Sequence, residues 1–334
     1  MHHTAVALGV LLISMVTCCD AHGGRMPVLS VSREVRLAAG HGPAQVAIDP
    51  DLAEGGWMGP SDMLVDRSGA LYLADTGNNR ILRIDARNRV TAVATGKSFS
   101  PISITETGSG ALLAAGVSNK GLYLERLQTK GGSPHTVARL PKCYGISAIA
   151  ADGRGAYVLA IAFPDLAKNN FWYLPQGHRV WRQVELPART RALQVVRGHD
   201  GIVYASVSGA SGCLVVRLAD GRTSQLEGRL AECQVLVGVD VRHRVYAAES
   251  IVGPSPYAPA ASWGYILSCY RPQTGRLALV YQAETRYRAG DIAGYPDAVG
   301  LGEMPLTVTA DGCLVLRTSD SHVLRLRYLR PQRE

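Results

Sequence analysis

Short apolar runs, each broken by a glycine- or aspartate-bearing turn, recur along the chain. The clearest stretch runs from Gly59 to Asp85. Met63 to Val65 is apolar, Asp66-Arg67-Ser68-Gly69 is a polar turn, and Ala70 to Ala74 is apolar without a break. A second polar cluster, Asp75 to Arg80, leads into Ile81 to Ile84, and Val90 to Ala94 follows. This pattern predicts four short strands. The unbroken run at Ala70 to Ala74 suits a strand buried on both faces, because successive side chains point to opposite sides.

The turn-then-strand signature returns at Thr107 to Leu113, Asp152 to Val158, His199 to Tyr204, Arg242 to Ala247 and Asp311 to Leu316, which with Arg67 to Tyr72 makes six units about 40–70 residues apart. A four-stranded unit repeated at that interval predicts an all-β, six-bladed β-propeller with antiparallel blades. The last unit holds only three strands, at Leu306 to Thr309, Cys313 to Thr318 and Val323 to Tyr328. The N-terminal Glu34 to Gly40 has the pattern of an outer strand. Pairing it with the last unit closes the ring and removes exposed edges. Six glycine-marked units weigh against the alternative, an eight-stranded sandwich.

Within the first unit, Leu71-Tyr72-Leu73-Ala74-Asp75-Thr76-Gly77-Asn78-Asn79-Arg80-Ile81 closely resembles the core of an NHL repeat. The other five units follow it only in pattern. Gly77 is expected to supply a turn conformation that a β-carbon opposes. Asp75 and Asn78 can bond turn amides, and Arg80 offers a planar fork to Asp75 or to carbonyls. This reads as structural punctuation rather than catalysis. Some propellers resembling this one are lyases, lactonases or hydrolases that hold a divalent metal on the central axis.

The ends and the charge add a cellular setting. Ala5 to Val16 is apolar but too short to span a bilayer, and small residues follow it. Residues 1–21 are therefore expected to be a signal peptide, leaving 22–334 as the propeller domain, exported to the periplasm or beyond. Val16-Thr17-Cys18-Cys19 also resembles a lipoprotein box, with Cys19 or Cys18 as the acylated residue, which would tether the domain to a membrane. The net charge of +8 rises by one on cleavage, because Asp20 is the only charged residue removed. This suits an anionic membrane surface or polymer. The arginines are scattered without aromatic-basic modules, so no specific nucleic acid is expected. Of the seven cysteines, Cys143, Cys213, Cys233, Cys269 and Cys313 follow the signal; none forms a Cys-x-x-Cys pair, and most read as buried strand residues.

In a four-stranded blade, the connection between the second and third strands and the connection between blades leave from the same face. The longest and most aromatic connections all belong to that face. They carry Trp57, Phe171, Trp172, Tyr257, Trp263, Tyr265, Tyr287 and Tyr295 in or beside them. Aromatic loops on a rigid scaffold suit binding of an envelope protein or a polymer. Catalytic residues and a cofactor are not predicted: no Gly-x-Ser-x-Gly elbow, phosphate loop or paired-histidine spacing occurs. The alternative is a metal-dependent lyase or hydrolase with a divalent cation on the axis, held by the strand-end carboxylates Asp62 and Glu249.

Overall fold

A computed structural model describes residues 29–47, 60–93, 95, 98–128, 134–140, 143, 145–161, 170–209, 212–231, 234–252, 262–273, 276–288, 306–319 and 322–331. The described chain forms six four-stranded antiparallel sheets, the blades of a six-bladed β-propeller. Blade one comprises β2 (Asp62–Val65), β3 (Leu71–Asp75), β4 (Arg80–Ile84) and β5 (Val90–Val93). Blade two is β6 (Ser100–Glu106), β7 (Leu112–Ser118), β8 (Gly121–Leu127) and β9 (His135–Arg139). Blade three is β10 (Gly145–Ala151), β11 (Gly155–Ile161), β12 (Phe171–Pro175) and β13 (Arg182–Gln183). Blade four follows as β14 (Arg191–Arg197), β15 (Val203–Gly209), β16 (Gly212–Ala219) and β17 (Arg222–Arg229). Blade five is β18 (Val235–Val239), β19 (Val245–Val252), β20 (Ser262–Gln273) and β21 (Arg276–Arg288). Blade six combines β22 (Leu306–Val308), β23 (Leu314–Ser319) and β24 (Val323–Pro331) with β1 (Leu29–Ala38) as its outer strand.

The ring closes as the sequence predicts. β1 pairs antiparallel with β24, Leu37 opposite Leu324 and Glu34 opposite Arg327, and Arg327 Nε donates to Glu34 at 2.8 Å. The observed strand begins five residues earlier than expected, at Leu29. The first and last described strands thereby share one sheet, so neither can leave without exposing an edge.

The core is six inter-blade interfaces, and the alternation of the strands explains why. In β3, Leu71 and Leu73 pack toward blade six, while Tyr72 and Ala74 pack toward blade two. In β12, Phe171 and Tyr173 face blade four and Leu174 faces blade two. Leu71 to Ala74 is apolar at every position because each side of the strand meets a neighbouring blade.

The six turn signatures all lie between the first and second strands of their blades. In each, a side-chain oxygen captures turn amides. Asp66 accepts from the amides of Ser68 and Ala70, Asp152 from Arg154 and Gly155, and Asp240 from Arg242 and Arg244. Thr107 and Thr309 accept from Ala111 and Cys313, and Asp200 from Ile202. Short polar side chains closing their own turns explain the recurring motif.

The NHL-like cluster locks the segment ahead of blade one. Asp75 is fully buried and accepts from Ala47 N (2.8 Å), Asn78 Nδ2 (2.9 Å) and Arg80 Nε (2.8 Å). Arg80 Nη2 donates onward to the carbonyls of Gly42 (2.8 Å) and Gln45 (2.7 Å). The expected role of Gly77 is corrected: the left-handed residue is Asn79, with φ 52°, which closes a single 3-10 turn at Thr76–Asn78. Asn tolerates that conformation, so the left-handed position falls two residues later than expected.

Candidate functional site

Strand direction sorts the connections onto two faces. On one face, here the turn face, no connection exceeds residues 128–134 in length. From the other, the looped face, leave residues 39–61, 162–170, 253–261 and 289–305. The first strands of the six blades line an axial channel between the two faces.

Of the aromatic residues expected to form a binding face, Trp57, Tyr257 and Tyr295 lie outside the described residues. Phe171 opens β12 and Tyr265 is the fourth residue of β20, both toward the looped face, yet their rings are buried in the interfaces between blades three and four and between blades five and six. Trp172 is half-buried in β12, opposite Val158 and Gln183. Trp263 and Tyr287 pair with each other across β20 and β21. Phase along the strand is the signal that separates these groups: Phe171 is two residues from Tyr173, in the core-facing register, and Trp172 is out of it. Cys18 and Cys19 also lie outside the described residues.

Asp62 opens β2 and borders the channel. One carboxylate oxygen accepts from Ser103 Oγ (2.7 Å) and Ile104 N (2.8 Å) of blade two, the other from Met63 N (2.8 Å). Ser103 Oγ in turn accepts from Ile149 N of blade three at 3.1 Å. Asp62 thus begins a hydrogen-bonded belt around three inner strands. Burial pushes its carboxyl above the ordinary value, against the pull of those donors. Glu249 lies in β19, a second strand, and does not line the channel. Burial raises its carboxyl too. Among the described residues no three His, Cys, Asp or Glu side chains converge in a way that could hold a metal ion.

Bulges recur in the first strands of blades two to five, between Pro101 and Ser103, Ile146 and Ala148, Ala192 and Gln194, and Leu236 and Gly238. A bulge re-aims the side chains beside it. Here it brings Ser147, Gln194 and Val237 to the channel wall. The channel cavity is small, about 90 Å³, with Thr105, Arg197 and His199 toward the turn face. His199 is tied to the Val308 carbonyl through Nε2 at 2.7 Å. The buried pair Glu106 and Arg197 had no local sequence signal, because it joins the ends of two inner strands 91 positions apart, in blades two and four.

No protein-family model matches the sequence, and no curated protein matches it. By structure, the chain is similar to a Bacteroides thetaiotaomicron protein of unknown function at 14% identity and TM-score 0.53, covering 89% of this chain and 77% of that one. It is also similar to a putative TolB from Agrobacterium tumefaciens (12% identity, TM-score 0.49, 82% and 90% covered). A gluconolactonase from Xanthomonas campestris gives 10% identity and TM-score 0.49, with 92% and 99% covered. At these identities the likeness is one of fold alone. Propellers serve many functions, so the site must carry the functional argument.

Proposed function

We propose that the chain is an exported binding propeller of the NHL-repeat kind, holding an envelope protein or polymer on its looped face. The observation that carries this reading is the segregation of the four longest connections, residues 39–61, 162–170, 253–261 and 289–305, to one face of a rigid ring. On the opposite face the connections are shorter, and the six that follow the first strands are closed by their own side chains. Long connections on a rigid scaffold are where recognition is built. The NHL kinship rests on Leu71 to Ile81, whose Asp75, Asn78 and Arg80 form one hydrogen-bonded lock. Export rests on the apolar stretch before Cys18 and Cys19, and lipidation at either cysteine would hold the ring at a membrane. Among the described residues no helix is long and apolar enough to cross one. The excess of basic residues favours an anionic surface or polymer beside the protein partner.

The competing reading is a lyase or hydrolase with a divalent cation at Asp62 and Glu249. Its one support is that burial raises both carboxyl groups, which a bound cation would offset. Metal analysis of the purified chain, repeated on Asp62→Ala and Glu249→Ala, tests it. Stoichiometric metal lost in both variants would favour the cation site over the scaffold.

The binding reading is tested by replacing residues 163–169 and 254–260, separately, with Gly-Ser segments of equal length. A partner captured by the native chain should be lost from at least one replacement and kept by Arg87→Ala on the turn face. Retention by both replacements contradicts the proposal.

A further inference from the structure

A groove of about 380 Å³ lies between blades two and three, beside their turns on the turn face. The gap has a local cause. β13 is two residues long and pairs only with Trp172 and Tyr173 of β12. Leu174 and Pro175 therefore have no outer strand beside them, and Pro175 has no N–H with which to extend the pairing. The chain turns instead at Gly177, φ +77°, where His178 N donates to the Pro175 carbonyl at 3.1 Å. The walls are pinned at two points. A β-carbon on Gly108 of blade two would lie 2.9 Å from Gly153 Cα of blade three. Trp181 Nε1, just ahead of β13, donates to the Arg139 carbonyl of blade two at 2.8 Å. Pinned walls and this volume suit a preformed small-molecule site.

The lining is divided by chemistry. Leu113 and Leu124 of blade two and Ala156 and Leu174 of blade three, all part of the core between these blades, form its floor. The rim carries donors. Arg126 lies two residues beyond Leu124 on the same face of β8, and His135 stands directly opposite it on β9. His178 and Arg179 line the groove from the turn of blade three. All four are exposed, and none makes an ion pair or a side-chain hydrogen bond among the described residues. Asp152 is the only acid among the described lining residues, and its Oδ1 already accepts from the amides of Arg154 (2.7 Å) and Gly155 (2.8 Å). Two arginines without acceptors therefore stand over an apolar floor.

We infer that this groove binds a small amphipathic anion, with its apolar body on the leucine floor and its carboxylate or phosphate head between Arg126 and Arg179. A guanidinium grips either head through parallel N–H···O bonds, and the two histidines add further donors. A neutral apolar molecule would cover the floor but leave the arginines without acceptors. A bare inorganic anion would meet the arginines but leave the floor wet. Only a ligand with both parts uses the whole lining. The groove lies apart from the looped face, and neither assignment depends on the other.

Isothermal titration calorimetry of the full chain with hexanoate, hexyl phosphate, hexan-1-ol and acetate tests the site at constant ionic strength. Hexanoate or hexyl phosphate should bind saturably, at least about tenfold more tightly than hexan-1-ol or acetate. The tighter of the two names the head group. Lengthening butanoate to hexanoate should tighten binding by up to about fourfold for each methylene buried. Arg126→Gln and Arg179→Gln change exposed side chains, so both should fold, and each should weaken binding by about three- to tenfold. Arg87→Gln, on the turn face of blade one, should leave binding unchanged. The inference is overturned if neither anion binds saturably, if hexan-1-ol binds as tightly as they do, or if both groove variants bind like the native chain.

Discussion

Asp75 is the position at which a single change should cost most. Replacing it by alanine strands three donors: Ala47 N, Asn78 Nδ2 and Arg80 Nε, now bonded at 2.8, 2.9 and 2.8 Å. Each buried donor left unpaired costs about 1–3 kcal/mol. Arg80 is 16% exposed and keeps the carbonyls of Gly42 and Gln45, so its charge is only partly stranded. Asp75→Ala should therefore cost about 3–5 kcal/mol, the range for breaking a buried pair. Arg80→Ala should cost as much or more, because it leaves a fully buried carboxylate with two neutral donors. The double variant should fall short of the sum by about 2 kcal/mol. Urea denaturation followed by tryptophan fluorescence measures all three, and limited proteolysis should show segment 39–47 released first. A loss below about 1 kcal/mol for Asp75→Ala, or strict additivity in the double variant, would refute the lock.

Two further changes probe the turn face. A β-carbon on Gly108 would meet the Gly153 backbone at 2.9 Å, whereas one on Gly153 would meet nothing within 4 Å. Gly108→Ala should destabilise by about 1–3 kcal/mol, and Gly153→Ala should be neutral or stabilise by up to about 1 kcal/mol, both read by urea denaturation. Equal effects at the two positions would contradict the close approach of these turns. The Asp85 carboxyl is lowered to about 2, chiefly by the Arg89 amide; burial opposes this, and the Arg89 side chain and the Arg87 amide add to the lowering. A depressed carboxyl stabilises the fold above its unfolded value of 3.8, and that contribution disappears as pH falls through about 2. The stability difference between the native chain and Asp85→Asn should be constant above pH 5 and vanish near pH 2; a difference independent of pH would contradict it.

The ring was legible because its information is local. Asp66, Thr107, Asp152, Asp200, Asp240 and Thr309 each close a turn within a few residues of themselves, so each blade announces its start. The partnership of Asp75 with Arg80 was equally readable, being five positions apart. Exposure of the aromatics was not. Phe171 and Tyr265 come just after long connections, yet the strand phase turns both rings into inter-blade cores. The pairing of Glu106 with Arg197, and the approach of Arg67 to the same carboxylate, depend on the geometry of the closed ring. No window of sequence contains them.

The central functional claim is that recognition occurs on the looped face. A photo-crosslinking side chain at Lys120, in the exposed β7–β8 turn of that face, and another at Arg87, in the exposed β4–β5 turn of the opposite face, test it most directly. In cells expressing the full chain, the account predicts a discrete crosslinked partner from Lys120 and none from Arg87. The reverse pattern would contradict it.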